Sequence, residues 1–286
     1  MGTVLINPSA ERRILDFRPL GFRDVAVLGR YRYAAAHEPL PEHTHGNMLE
    51  ICYLESGAQV YTIGDERFEL TGGDLFLTLP DETHGTGDLP ENKGVLFWML
   101  LHLPSRGRFL SLAPSEARLL LDQLLHPPSR QFRGGRPAKQ TLHEIFDVYD
   151  RDDDPLRVVH LRNLFLRFLL GVIEASGAAA PRPSRTMCEV QEFIDQNLDV
   201  MLSIRQLAQL AGMSQSRFKA RFKSEVGIPP ADYVMRQKID HAKQLLRDHH
   251  KVTAVAMQLG FTTSQYFATV FKRYTGKSPT EFRRSA

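Results

Sequence analysis

The sequence predicts an α+β protein of two domains. An N-terminal antiparallel barrel or jelly roll with attached helices precedes a C-terminal all-α domain built on tandem helix-turn-helix units. Three observations carry this. Short apolar runs fill residues 1–104, with turn signals about every eight to twelve residues. Beyond Ser115 the apolar period changes from two to about 3.6. Between 203 and 282 one pattern occurs twice. At 286 residues the chain is long enough for two cores. The expected division is 1–110 for the barrel, 111–175 for a helical packing and dimerisation segment, 176–185 for a linker and 186–286 for the helix-turn-helix domain.

The barrel strands are bounded by their glycines. Glu50-Ile51-Cys52-Tyr53-Leu54 is followed by Glu55-Ser56-Gly57, and 59–63 by Gly64-Asp65. Gly72-Gly73 precedes Asp74-Leu75-Phe76-Leu77-Thr78-Leu79-Pro80, and 95–103 is a longer apolar strand. Period-two geometry puts His43 and His45 on one side of a strand. Glu50 and His84 are expected to join them from neighbouring strands, as the resemblance given below implies. Three imidazoles and a carboxylate suit Zn, Ni, Mn or Fe, and the same groups equally suit hydrogen bonds to a ligand's hydroxyls or to one another. Trp98 alternates with Leu96, Leu100 and His102. An indole there suits the apolar face of a sugar, with His102 on a hydroxyl, and it equally suits a core position.

In the middle segment Leu119, Leu120, Leu124 and Leu125 indicate one helix. Leu161, Leu164, Phe165, Phe168, Leu169, Val172 and Ile173 give another a wide apolar stripe. The basic stretch Arg130-Gln131-Phe132-Arg133-Gly134-Gly135-Arg136 reads as a loop, either solvated or brushing nucleic acid. Ser176-Gly177-Ala178-Ala179-Ala180-Pro181-Arg182-Pro183-Ser184 reads as the linker.

The doubled pattern is Phe222-Lys223-x-x-x-Gly227-x-x-Pro230-x-Asp232-Tyr233 and Phe271-Lys272-x-x-x-Gly276-x-x-Pro279-x-Glu281-Phe282. Ala208 and Gly212 precede the first copy, Ala256 and Gly260 the second. A small alanine lets two helices cross closely, a glycine permits the turn, and Phe218 with Phe222, or Phe267 with Phe271, buries the back of the second helix. Ser203 and Gln206 form a capping-box signature. The pattern of Tyr233, Met235, Ile239, Ala242, Leu245 and Leu246 makes 231–247 a rigid helical spacer. Successive major grooves on one side of a duplex lie about 34 Å apart, which two such units suit. Opposite the buried aromatics stand Gln215, Ser216, Lys219 and Ala220 in the first unit, and Ser264, Gln265, Ala268 and Thr269 in the second. Gln pairs with adenine, Lys with guanine, and Ala or Thr methyls meet the thymine methyl. Arg217, Lys223, Lys272 and Arg273 are candidates for phosphate.

The net charge of +3 is unevenly spread. Residues 184–286 carry sixteen Lys and Arg against nine Asp and Glu, so the rest of the chain is mildly acidic. A basic C-terminal third is what phosphate contact requires. No apolar run approaches the roughly 20 residues of a membrane span, and two cysteines do not make a disulfide framework. The expected location is the cytoplasm.

Leu207-Ala208-x-x-Ala211-Gly212-Met213-Ser214 and Gly260-Phe261-x-x-x-Gln265-Tyr266-Phe267-x-x-x-Phe271-Lys272-x-Tyr274-x-Gly276-x-x-Pro279 resemble the DNA-binding domain of AraC/XylS-type transcription regulators. His43-x-His45-x-x-x-x-Glu50, with Gly57, and Gly73-Asp74 through Pro80 to His84 resemble the two halves of the cupin signature, without its glycine between Pro80 and His84. Together they imply a cupin-like sensor barrel ahead of paired DNA readers. The expected function is a non-enzymatic, sequence-specific transcription regulator, an activator answering to a small molecule such as a sugar. The implied partners are double-stranded DNA, RNA polymerase and a second copy of the chain, dimerised through its helices. Many relatives carry arginine where Ala220 and Thr269 stand. The competing reading is a metal-dependent cupin enzyme whose helical tail binds nucleic acid nonspecifically.

Overall fold

The computed structural model describes residues 9–104, 107–178 and 183–285. They fall into two compact units, one of residues 1–32, 40–87 and 94–180, the other of 33–39, 88–93 and 181–286.

The first unit is a nine-stranded antiparallel sheet wrapped into a barrel, with three helices on one face. Its strands are β1 (Arg12–Leu15), β2 (Val25–Tyr33), β3 (His43–Thr44), β4 (Met48–Ile63), β5 (Glu66–Thr71), β6 (Asp74–Thr78), β7 (Thr83–Gly85), β8 (Gly94–His102) and β9 (Gln131–Arg133). Helix α1 (Pro114–Leu125) precedes β9, and α2 (Gly135–Tyr149) and α3 (Arg157–Ser176) follow it. The order β1-β2-β8-β4-β6-β9 makes one layer, and β4 also pairs with β5 and β7, which holds β3.

One strand therefore serves both layers, and Gly57 explains how. The expected turn at 55–57 is instead a bulge inside β4. The register slips between Leu54 and Ser56, and Gly57 takes a φ of 102°. A bulge with a left-handed glycine bends a strand without ending it. Before it, β4 pairs with β6 and β8; after it, with β5 and β7.

Alternation then sorts the side chains. Leu49, Ile51 and Tyr53 of β4, with Leu75, Leu77, Phe97, Met99 and Leu101, join a core closed by Leu120 and Leu124 of α1, Ile145 and Phe146 of α2, and Phe165, Phe168 and Leu169 of α3. The intervening Glu50, Cys52 and Leu54 face the other way, as do Phe76, Leu96 and Leu100, and all are buried. Tyr61 stacks on Phe76 there at 5.3 Å, and the Cys52 thiol lies 3.9 Å from the Tyr61 hydroxyl.

Further expectations need correction. The basic stretch is no loop: Gln131, Phe132 and Arg133 pair with Phe76, Leu75 and Asp74. Arg133 is tied to Asp74 at 3.2 Å and Arg130 to Glu82, so these cations are spent within the sheet. Helix α2 was not anticipated, because Gly135 and Pro137 open it. Leu119 does not join the apolar stripe of α1; it is 71% exposed. Helix α3 runs through Ser176, where the linker was expected to begin, and Ala179, Ala180, Pro181 and Arg182 lie outside the described residues.

The second unit is helical: α4 (Arg185–Gln196), α5 (Ile204–Leu210), α6 (Gln215–Val226), α7 (Pro230–Arg247), α8 (Val252–Gln258), α9 (Ser264–Thr275) and α10 (Pro279–Ser285). It holds two small cores. Met187, Val190, Ile194, Leu207, Ala208, Phe218 and Phe222 make the first; Val255, Ala256, Leu259, Phe267, Val270 and Phe271 the second. Helix α7 sends Val234 into the first and Ile239, Ala242 and Leu246 into the second, as a spacer should. At its middle the buried Lys238 ammonium donates to the carbonyls of Val200 (2.9 Å) and Leu259 (2.6 Å). Burial holds that ammonium below its ordinary pKa, a cost offset by charge-assisted hydrogen bonds.

Candidate functional site

The barrel brings His43, His45, Glu50 and His84 together, and their nearest ligating atoms all lie within 4.8 Å of one another. Direct pairing of β3 with β7 sets His43 opposite His84. The rings of His43 and His84 are 4.3 Å apart, those of His43 and His45 4.8 Å, and those of His45 and His84 5.3 Å. Glu50 enters from the inward face of β4, opposite Leu100 and Thr78. Its Oε2 lies 2.7 Å from His84 Nε2 and 3.8 Å from His45 Nε2.

The outer nitrogens fix the inner ones. His43 Nδ1 lies 2.9 Å from the Pro41 carbonyl, and His84 Nδ1 lies 3.1 Å from that of Glu82. A carbonyl only accepts, so each Nδ1 carries the proton and each Nε2 is left for the cluster. His84 is buried, and Glu50 Oε2 is the charged group its Nε2 faces. Burial would push the Glu50 carboxyl up, but His84 beside it, with His45 and His43, holds it below the usual carboxylate range. Burial likewise would lower His84, and Glu50 and Glu82 reverse this and raise it. Burial, helped by His43 and His84, lowers His45 against the pull of Glu50. The arrangement therefore calls for one positive centre between His84 and Glu50, whether a proton or a metal ion. Donors about 2.1 Å from a common metal stand about 3 to 3.4 Å apart; those of this cluster, within 4.8 Å of one another, would draw together around an ion.

Trp98 shares the inward face, opposite Cys52 and one alternation along from Glu50. Its indole covers Gly29, where any Cβ would fall 2.0 Å from the ring, so that glycine is required. The Arg12 guanidinium lies over the indole at 5.1 Å, a contact without a sequence signal because 86 residues separate the two. Half-buried Trp98 thus walls the interior. His102 shares the strand face but is exposed at the strand's end, where its backbone N–H donates to the Asp24 carbonyl.

In the second unit α6 and α9 are built alike. Ser214 caps α6 through Arg217 N–H (3.4 Å), and Thr263 caps α9 through Tyr266 N–H (3.1 Å). Gly227 and Gly276 end them in the left-handed conformation, with φ of 91° and 76°. The Ser203–Gln206 box closes on α5 in both directions, at 3.2 and 2.9 Å. Phe218, Phe222, Phe267 and Phe271 are fully buried. Their helices turn Gln215, Ser216, Arg217, Lys219, Ala220 and Lys223 outward on α6, and Gln265, Thr269, Lys272 and Arg273 on α9. Ser264 and Ala268 are half-buried. The Thr269 hydroxyl donates to the Gln265 carbonyl at 3.0 Å and so is engaged with its own helix. Sequence reasoning passed over Tyr266, an aromatic 51% exposed in the first turn of α9.

Two family models match the chain: a helix-turn-helix domain over 207–285 and an AraC-like ligand binding domain over 25–165. Among curated relatives, the probable transcriptional regulator LumQ of Photobacterium leiognathi is 38% identical over 98 residues, 34% of this chain and 40% of LumQ. The HTH-type transcriptional activator RhaS of Salmonella arizonae is 25% identical over 275 residues, 94% of this chain and 95% of RhaS. Among solved structures, the DNA-binding domain of AdpA in complex with a target DNA is 29% identical, covering 36% of this chain and 93% of that one with a TM-score of 0.35. ToxT from Vibrio cholerae is 12% identical, covering 96% and 98%, also with a TM-score of 0.35.

Proposed function

From a chain that belongs to the AraC-type transcription regulators, with an AraC-like ligand-binding domain ahead of a helix-turn-helix domain, we propose an effector-responsive activator that reads two successive major grooves. Gln215, Ser216, Lys219 and Ala220 read bases from α6; Ser264, Gln265, Ala268 and Thr269 read them from α9. Arg217, Lys223, Lys272 and Arg273 hold phosphates. The observation that carries this is the repetition itself: two separately cored helix pairs, each capped alike, each with its polar face outward. The two faces differ in kind. Helix α6 offers one cation, Lys219, among its base-facing residues, while α9 offers none: an amide, hydroxyls and methyl groups, chemistry that favours A·T pairs.

The effector site is the His43, His45, Glu50 and His84 cluster, which we assign to a divalent metal (Zn, Ni, Mn or Fe) on the strength of three imidazoles and a carboxylate whose donor atoms lie within 4.8 Å of one another. When bound, the metal supplies a Lewis-acidic centre for an oxygen-rich effector such as a sugar, with Trp98 as apolar wall. Ligand binding biases a two-state arrangement. A second copy of the chain is the partner proposed for the helical face, where Leu119 and Leu170 are 71% and 52% exposed. RNA polymerase is the partner at the promoter, in the cytoplasm. The experiment is selection from a random-sequence DNA pool, with and without metal. A two-part site with one half per reading helix is expected; a pool without a shared sequence would leave a nonspecific binder.

A further inference from the structure

The stretch read from sequence as a basic loop is built into the wall behind His84. Arg130 forks onto the Glu82 carboxylate, with Nη2 2.6 Å from Oε1 and Nη1 in contact with Oε2. The same carboxylate accepts the Leu79 N–H at 2.8 Å, and the Glu82 N–H returns to the Leu79 carbonyl at 3.3 Å, so the turn between β6 and β7 is closed from both sides. The carbonyl of Glu82 is the group that receives His84 Nδ1. Arg130 is itself fixed, because its carbonyl accepts the Leu77 N–H at 3.0 Å and its next residue begins β9. The direction of His84 Nε2 is thus set through three links: ring to carbonyl, carbonyl to closed turn, turn to guanidinium.

We propose that Glu82 and Arg130 are positioning residues for the His43, His45, Glu50 and His84 centre, the outer shell that aims His84 at a metal ion. The inference rests on the metal reading above. A planar fork suits the task, since two parallel N–H bonds fix the carboxylate's plane where an ammonium would fix only a point. A built-in comparison lies three residues on, at the end of β9. Arg133 pairs with Asp74 at 3.2 Å and donates to the Gly72 carbonyl at 2.7 Å, at the start of β6 and away from the Glu82 turn.

The test uses full-length protein stripped of metal and titrated with Co(II) against a chromophoric chelator, with the visible Co(II) bands recorded for each variant. Arg130→Ala and Glu82→Gln should each weaken Co(II) binding about 10- to 100-fold, the range for outer-shell partners. Both should shift the Co(II) bands, because the His84 ring is free to tilt. Arg130→Lys should recover part of the loss, and Arg133→Ala should keep both the wild-type affinity and the bands. Thermal unfolding of apo-protein separates aim from folding: Arg130→Ala and Arg133→Ala should melt at similar temperatures. Equal weakening by Arg130→Ala and Arg133→Ala, or unchanged bands in Arg130→Ala, would overturn the positioning role. Wild-type protein that takes up no Co(II) would overturn the metal reading, and this inference with it.

Discussion

Lys219 and Gln265 stand on different reading helices, over different cores, so their losses should add. Lys219 is exposed on α6 between the buried Phe218 and Phe222, and Gln265 is exposed in the first turn of α9. Neither helix shares core residues with the other. Truncating a base-reading side chain costs about 1 to 3 kcal/mol, and separated sites are additive to within about 0.5 kcal/mol. Lys219→Ala and Gln265→Ala should therefore each weaken operator binding about 5- to 150-fold, and together by about 2 to 6 kcal/mol. A gap of about 4 to 10 kcal/mol separates specific from nonspecific binding, so the double variant loses a large share of its preference at the midpoints, about 4 of about 7 kcal/mol. The assay is a gel shift at one fixed salt concentration against the selected site and a scrambled duplex, with circular dichroism to show both variants folded. Affinity for the scrambled duplex should fall less than affinity for the site. Undiminished preference in the double variant would refute the placement of these faces in the groove.

Other consequences follow from single positions. Gly212 and Gly260 occupy matching turns at φ of 64° and 68°, but a Cβ at 212 meets open space while one at 260 falls 2.8 Å from the Asp199 carbonyl oxygen. Gly212→Ala should cost about 1 to 2 kcal/mol for the left-handed backbone alone and Gly260→Ala clearly more, measured by urea denaturation. At Thr269 the hydroxyl is engaged with its own helix, which leaves the methyl to read a base, so Thr269→Val should keep the site preference of α9 and Thr269→Ser should relax it, by about 1 kcal/mol at one base pair. Replacing the exposed Leu119 and Leu170 with lysine should shift the chain toward monomer in analytical ultracentrifugation without lowering its melting temperature, because neither side chain is in the core.

Most of the second unit was legible because its signals are local. A cap at Ser203, a left-handed glycine at Gly276 and aromatics four residues apart each act within one helix or one turn. The barrel was legible where period two holds, as from Glu50 to Leu54, and misread where a long-range pairing decides. Gly57 looks like a turn glycine, yet pairing on both sides of it keeps β4 continuous. Arg130 to Arg133 look like a solvated basic run, but the carboxylates that neutralise them lie on β6 and the turn after it. The four residues of the cluster were found through the resemblance to the cupin signature, with period two placing His43 beside His45. The outer shell was not, because Glu82 and Arg130 are 48 residues apart and nothing local marks either.

Elemental mass spectrometry on tag-free protein, beside a His43→Ala, His84→Ala double variant, tests the sensor assignment most directly. Near one metal ion per wild-type chain, lost in the variant, is the result expected of a centre with His84 Nε2 and Glu50 at its middle. Metal-free wild-type protein that still binds its DNA site would contradict it, and the four side chains would then be a hydrogen-bonded pocket for an organic effector.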